Sequence, residues 1–217
     1  MSEVKAGDKF LLSNVRIVFP KLFEGQAEAF EGKGDPYYAA SFIIAPTDAQ
    51  IESVIKPQIR AAARAKWGEK ADEMLKIFAA KDKLPIHDGM LKANKPYGAA
   101  YKGMLYVSAR NNGKTNPPIP VYDNVIDPKT GQARIITSAA DKAAPYSGAY
   151  VNVYLNFFGY AAGGGEGVGA SIAGVQKHAD GERLAGGVAA AASDFAAVPA
   201  AVTEAAATTG QGAAALF

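Results

Sequence analysis

Cations and aromatic rings alternate between residues 92 and 114, as Lys92, Lys95, Tyr97, Tyr101, Lys102, Tyr106, Arg110 and Lys114. Tyr146, Tyr150 and Tyr154 extend the series further along the chain. This mixture suits one kind of chemistry. A flat ring stacks on a nucleobase, at about 1–3 kcal/mol per base and with little regard to which base, while lysine and arginine follow the phosphates. Ten tyrosines against one tryptophan favour rings with a polar, wettable edge. Any one of these tyrosines serves equally well as packing at a strand edge. The set, taken with its cations, points to binding of a single-stranded polyanion.

The charge distribution agrees. The net charge is only +2, yet residues 56 to 114 hold thirteen Lys or Arg against five Asp or Glu. Residues 188 to 217 hold two acids, Asp194 and Glu204, and no base. Clustered cations raise the local concentration of phosphate, although a charge run by itself describes a solvated helix face equally well.

Other chemistries lack their parts. With no cysteine, disulfides, thiolate nucleophiles and Cys-ligated zinc are excluded, and a reducing cytoplasm fits. Two histidines, His87 and His178, cannot build a multi-histidine metal site. His87 and Asp88 are adjacent, so in an extended segment they point apart and form no dyad; an aspartate turn explains them better. The glycines at 163, 164, 165, 167 and 169 have no lysine after them and open no helix, as a phosphate loop requires. Asp88, Asp123 and Asp127 have no spacing that asks for magnesium. No run approaches the roughly 18 apolar residues of a membrane helix, and Met1-Ser2-Glu3-Val4-Lys5 does not read as a signal peptide. No enzyme and no cofactor are expected.

The positioning elements read as mainly β. Phe10 to Phe19 is a strand ending at Pro20, residues 20 to 36 form a long loop, and Tyr37 to Ala45 is a second strand. Thr47 and Gln50 have the spacing of a capping box. Ile51, Val54, Ile55, Ile59 and Ala62 then recur at helical period, with Pro57 expected to kink or split the helix. Glu69 to Ala80 is a second helix, and Trp67 a core anchor. Strands follow at Gly103 to Arg110, Ile119 to Tyr122, Ala149 to Tyr160 and Val168 to Val175. The strand at Ala149 alternates cleanly, with Val151, Val153, Leu155 and Phe157 on the core face and Tyr150, Asn152, Tyr154 and Asn156 opposite. His178 falls in a charged turn. Fourteen of the last thirty residues are alanine, which reads as a disordered C-terminal tail. Five main strands around a helical insertion at about 47–80, between strands 2 and 3, predict a five-stranded OB-type Greek-key barrel over residues 1–187. A flexible tail then occupies 188–217.

Ser13-Asn-Val-Arg-Ile-Val-Phe-Pro-Lys-Leu-Phe23, Tyr146 to Phe158 and Gly167 to Leu184 resemble a family of phage and prophage proteins once catalogued as a domain of unknown function. That family is related to single-stranded DNA-binding proteins of phage replication, with an OB-fold core. Over residues 10 to 187 the resemblance implies sequence-independent binding and protection of single-stranded DNA in replication or recombination, in the cytoplasm of an infected or lysogenic host. Tyr97, Tyr101, Tyr106, Tyr150 and Tyr154 are the expected stacking rings. Lys95, Lys102, Arg110 and Lys114 are the expected phosphate contacts. The chain closes on Leu216-Phe217, as partner-recruiting tails do, but with few acids nearby. Replication or recombination proteins are the partners such a tail would meet, and a homodimer is compatible. The rival readings are a metal-dependent nuclease or recombination factor and a structural phage protein indifferent to DNA.

Overall fold

The computed structural model describes residues 5, 7–30, 32–95, 97–162 and 165–184. Nine strands occur among them: β1 (Phe10–Lys21), β2 (Glu28–Phe30), β3 (Lys33–Ile44), β4 (Ile86–Asp88), β5 (Leu105–Asn112), β6 (Val121–Ile126), β7 (Ala133–Ile136), β8 (Tyr150–Ala162) and β9 (Gly165–Ala179). Three helices, α1 (Lys56–Trp67), α2 (Ala71–Ala80) and α3 (Gly98–Tyr101), lie between β3 and β5. The architecture is mainly β with a helical segment. The strands hydrogen-bond in the order β4-β5-β3-β1-β8-β9-β6-β7, with β2 on β3. All pairs are antiparallel except β6 with β9.

The core is the inward phase of the pleat. Val151, Val153, Leu155 and Phe157 of β8 are buried, as their alternation predicts, against Leu12, Val15 and Ile17 of β1 and Val168, Ala170 and Ile172 of β9. Ile51, Ile55, Ile59, Ala62 and Ala63 bury the matching stripe of the helical segment on this core. Trp67 is half-buried there, its ring 4.9 Å from that of Phe78.

Several local expectations need correction. The expected loop at 20–36 contains the end of β1, all of β2 and the start of β3. The helical run divides at Pro57, as its position in the pattern predicts: a π-helical turn at Ile51–Ile55 gives way to α1, with Pro57 in its first turn. Gln50 closes no capping box: its side chain accepts from Ser13 N and donates to Ser13 O, tying the helical segment to β1. Residues 121–136 form a hairpin, β6–β7, longer than the short extended piece expected at 119–122. His178 lies within β9, not in a turn. The expected tail at 188–217, with Leu216 and Phe217, lies outside the described residues. Among the described residues no helix is long and apolar enough to cross a membrane.

One pair of hydrogen bonds joins elements that no ladder connects. Asn111 of β5 donates through Nδ2 to Ile172 O (2.9 Å) and accepts at Oδ1 from Ile172 N (2.8 Å). Its amide thus stands in for a strand backbone between β5 and β9.

Candidate nucleic-acid interface

The outer face of β3 and β5 is built by their pleat. Tyr38, Ala40, Phe42 and Ile44 point into the core, as do Val107 and Ala109. The facing outward pairs are Tyr37–Asn112, Ala39–Arg110, Ser41–Ser108 and Ile43–Tyr106. Ala39 and Ser108 put short side chains beside Arg110 and leave a shallow trough, whereas Ser41 is buried, with Lys92 Nζ 3.4 Å from its Oγ. At one end of the trough the Arg110 guanidinium lies 5.8 Å from the Tyr37 ring centroid. Beyond Tyr37, Asp35 receives Lys114 (2.5 Å) and Asn112 (3.0 Å), and the Lys114 hydrogen bond holds its carboxyl below the usual range.

The other end is covered. The segment from Gly89 to Tyr101 folds over Val18 and Ile43 and buries Tyr101 (0% exposed) and Tyr106 (6% exposed). The two rings meet edge to face at 5.2 Å. Lys92 Nζ stands 4.2 Å from the Tyr106 centroid and 5.0 Å from that of Tyr101, and burial lowers its pKa. His87 lies nearly parallel to Tyr106 at 4.9 Å, with Nδ1 2.7 Å from Asp82 Oδ1. Burial, then the charges of Asp82 and Tyr101, push the Tyr106 hydroxyl up to about 12. Gly89 and Gly98 allow this packing: a Cβ on either would stand 2.0 Å from a backbone oxygen.

Tyr101 and Tyr106 are therefore not stacking platforms, since neither offers a free ring face. Tyr106 extends from the outward side of β5, but the preceding segment, which ends in Tyr101, packs over it, and the contact removes the apolar area of both rings from water. The adjacent histidine and aspartate do not pair either. Asp88 accepts from Met90 N (2.8 Å) in the aspartate turn expected of it.

Beside this cover stands an aromatic pair. Phe19 and Tyr97 meet with centroids 5.0 Å apart, and Phe19 is 41% exposed. Both have left-handed backbones, φ +53° and +66°. Such a conformation costs a non-glycine residue about 1–3 kcal/mol and persists where the surroundings impose it, often at ligand-binding sites. For Phe19 the cause is a bulge in β1, where the register with β3 shifts between Val18 and Lys21.

Near the hairpin end of β8, Phe158 and Tyr160 lie opposite glycines of β9. Their register partners are Gly169 and Gly167, and each ring occupies the space a Cβ there would need. Phe158, 43% exposed, borders three clefts. One of about 480 Å³ includes Lys83, His87, Ser108, Arg110 and Tyr160. A second, about 360 Å³, includes Tyr37, Arg110 and Asn112. A third, about 280 Å³, includes Lys66.

Lys102, Tyr150 and Tyr154 do not join this face. Lys102 and Tyr150 line a cleft of about 430 Å³ with Arg16 and Asp48. Tyr154 lines another, of about 400 Å³, with Leu11 and Tyr122, and Lys9 Nζ lies 5.5 Å from its ring. Lys95 is exposed beside Tyr97. Sequence reasoning missed Phe19, Tyr37, Phe158 and Tyr160. The last two share the outward phase of β8 with Tyr154, and that signal was available. Among the described residues no group of three or more His, Asp or Glu is placed to hold a metal.

A family model described as "Enterobacter phage Enc34, ssDNA-binding protein" matches residues 8–206. The chain belongs to this family. Its relatives include protein p50 of Acyrthosiphon pisum secondary endosymbiont phage 1, 35% identical over 189 residues, which are 86% of this chain and 92% of that protein. Among solved structures, the single-stranded DNA-binding protein of bacteriophage Enc34 in complex with ssDNA superposes with a TM-score of 0.63 at 20% identity. The match covers 85% of this chain and 97% of the other. The single-stranded DNA-binding protein gp2.5 of bacteriophage T7 gives 0.51 at 13% identity, over 85% and 98% of the two chains. At these identities the likeness is one of fold.

Proposed function

We propose that this member of the Enc34 family binds single-stranded DNA without regard to sequence, along the outer face of β3 and β5, as a non-enzymatic protein of phage replication or recombination. The observation that carries the reading is the trough over Ala39 and Ser108, with Tyr37 and Arg110 at its open end and the strained Phe19–Tyr97 pair beside its cover. Rings there take bases, and Arg110, Lys95 and Lys114 take phosphates. Tyr101 and Tyr106 anchor the cover at the other end of the face.

The barrel belongs to the same reading. β3 is antiparallel to β1 and β5, and β8 to β1 and β9, so β5 and β9 run parallel across the Asn111 bridge. The ring β1-β3-β5-β9-β8 then closes as a five-stranded OB-type barrel, whose second and third strands are the usual oligonucleotide face. Those strands are β3 and β5. The helical insertion interrupts them, and residues 188–217 carry the contacts with replication or recombination proteins. The chain works in the cytoplasm of the host cell.

A fluorescence titration against labelled oligo-dT and a matched duplex, at low and moderate salt, tests this. Preference for the single strand, weakening as salt rises, is the expected result. Equal or absent binding to both overturns it, and magnesium-dependent loss of the labelled strand would show a nuclease instead.

A further inference from the structure

Phe158 is the point where three clefts meet, and each of them brings a cation to it: Arg110, Lys83 and Lys66. A single exposed phenylalanine is ordinary on a protein surface; what distinguishes Phe158 is its setting. The setting is built. Gly169 lies opposite, where an added Cβ would come within 3.0 Å of the Phe158 ring tip, and Gly167 likewise lies under Tyr160. Gly159, next in the chain, lets the Lys66 stem cross β8, since a Cβ there would stand 2.5 Å from Lys66 Cβ. Three glycines thus keep two rings and a lysine stem close against the strands.

The large cleft has the size and polarity of a site for one nucleotide. Its volume, about 480 Å³, lies within the range of small-ligand sites. Phe158 and Tyr160 form an aromatic wall, and Ser108 and His87 stand across from it on β5 and β4. His87 commits Nδ1 to Asp82, which leaves Nε2 as its remaining polar atom. Arg110 lines both this cleft and the neighbouring one at Tyr37, so a strand leaving the β3–β5 trough reaches the cleft without a break in charge.

We propose that the cleft at the β5–β9 seam is a subsite for a single nucleotide of the bound strand, its base stacked on Phe158 and its flanking phosphates met by Arg110, Lys83 and Lys66. This rests on the proposal that the protein binds single strands, and adds to it a discrete place where one base leaves the trough. Stacking at Phe158 requires Gly169, because a branched side chain at that position would displace the ring.

The test uses the full chain. Trp67 is the only tryptophan, so Phe158→Trp in a Trp67→Phe background places a single reporter at the subsite. On saturation with oligo-dT its emission is expected to be quenched by the stacked base. Phe158→Ala is expected to weaken binding by between about 5-fold and 150-fold, the range for one stacked base. Gly169→Val, with Phe158 intact, is expected to weaken it similarly. If oligo-dT binds but the tryptophan emission does not change, or Phe158→Ala binds like the unaltered chain, the subsite is refuted and the trough reading stands. If the unaltered chain fails to bind any single strand, both readings fall together.

Discussion

Asn111 offers a sharp perturbation, because one side chain closes a seam that no backbone ladder spans. Replacing it by alanine removes two hydrogen bonds of 2.8 and 2.9 Å to Ile172. The backbone N–H and C=O of Ile172, a residue 2% exposed, would then lack their partner. A buried polar group stripped of its partner costs about 1–3 kcal/mol, so two give roughly 2–6 kcal/mol, less whatever water recovers. For a domain of this size that corresponds to a fall in Tm of very roughly 5–20 °C. Urea denaturation followed by tyrosine and tryptophan fluorescence, alongside a thermal melt, would measure it. Amide exchange at Ile172 should accelerate beyond that of neighbouring β9 residues. Asn111→Asp retains an acceptor for the N–H but sets a carboxylate against the carbonyl, so it should also destabilise. An alanine variant within about 0.5 kcal/mol of the original, the range of an ordinary surface substitution, would refute the claim that this amide closes the seam.

Further predictions follow from the same packing. Tyr101→Phe removes a buried hydroxyl that lacks a well-formed hydrogen bond, with the Ser41 hydroxyl beside it, so stability and DNA affinity should both hold within about 1 kcal/mol. Tyr101→Ala should cost about 3–5 kcal/mol in stability; denaturation curves of the two variants separate packing from binding. Arg110→Ala should weaken oligo-dT binding and lower the slope of log affinity against log salt by about 0.7, one phosphate's share. An unchanged slope in a salt titration would remove Arg110 from the contact set. Asp35, Asp141 and Asp180 are held below the usual carboxylate range, chiefly by hydrogen bonds from Lys114, Arg134 and Lys177. Their folded pKa values lie below the unfolded ones, so their support is complete above roughly pH 4–5 and is lost as acid protonates them. Urea midpoints measured against pH should fall on the acid side, and Asp141→Asn should flatten that fall.

The sequence by itself determined the elements whose pattern is local. The alternation of β8 placed Val151, Val153, Leu155 and Phe157 in the core, because a strand's two faces are fixed by its period. The helical stripe from Ile51 to Ala62 emerged for the same reason, as did the family, carried by contiguous motifs. The cation-and-ring composition of residues 92 to 114 pointed to a polyanion without locating its path. Tertiary structure decided which rings remain free. Tyr106 and Arg110 share the outward phase of β5, and only the fold of residues 89–101 over one end of the trough buries the first and leaves the second exposed. Phe19 depends on a bulge set by the register between β1 and β3, which no local pattern announces. The role of Asn111 depends on β9, 61 residues further along the chain. Periodicity tells which side of a sheet a residue occupies; what later covers that side is settled by long-range packing alone.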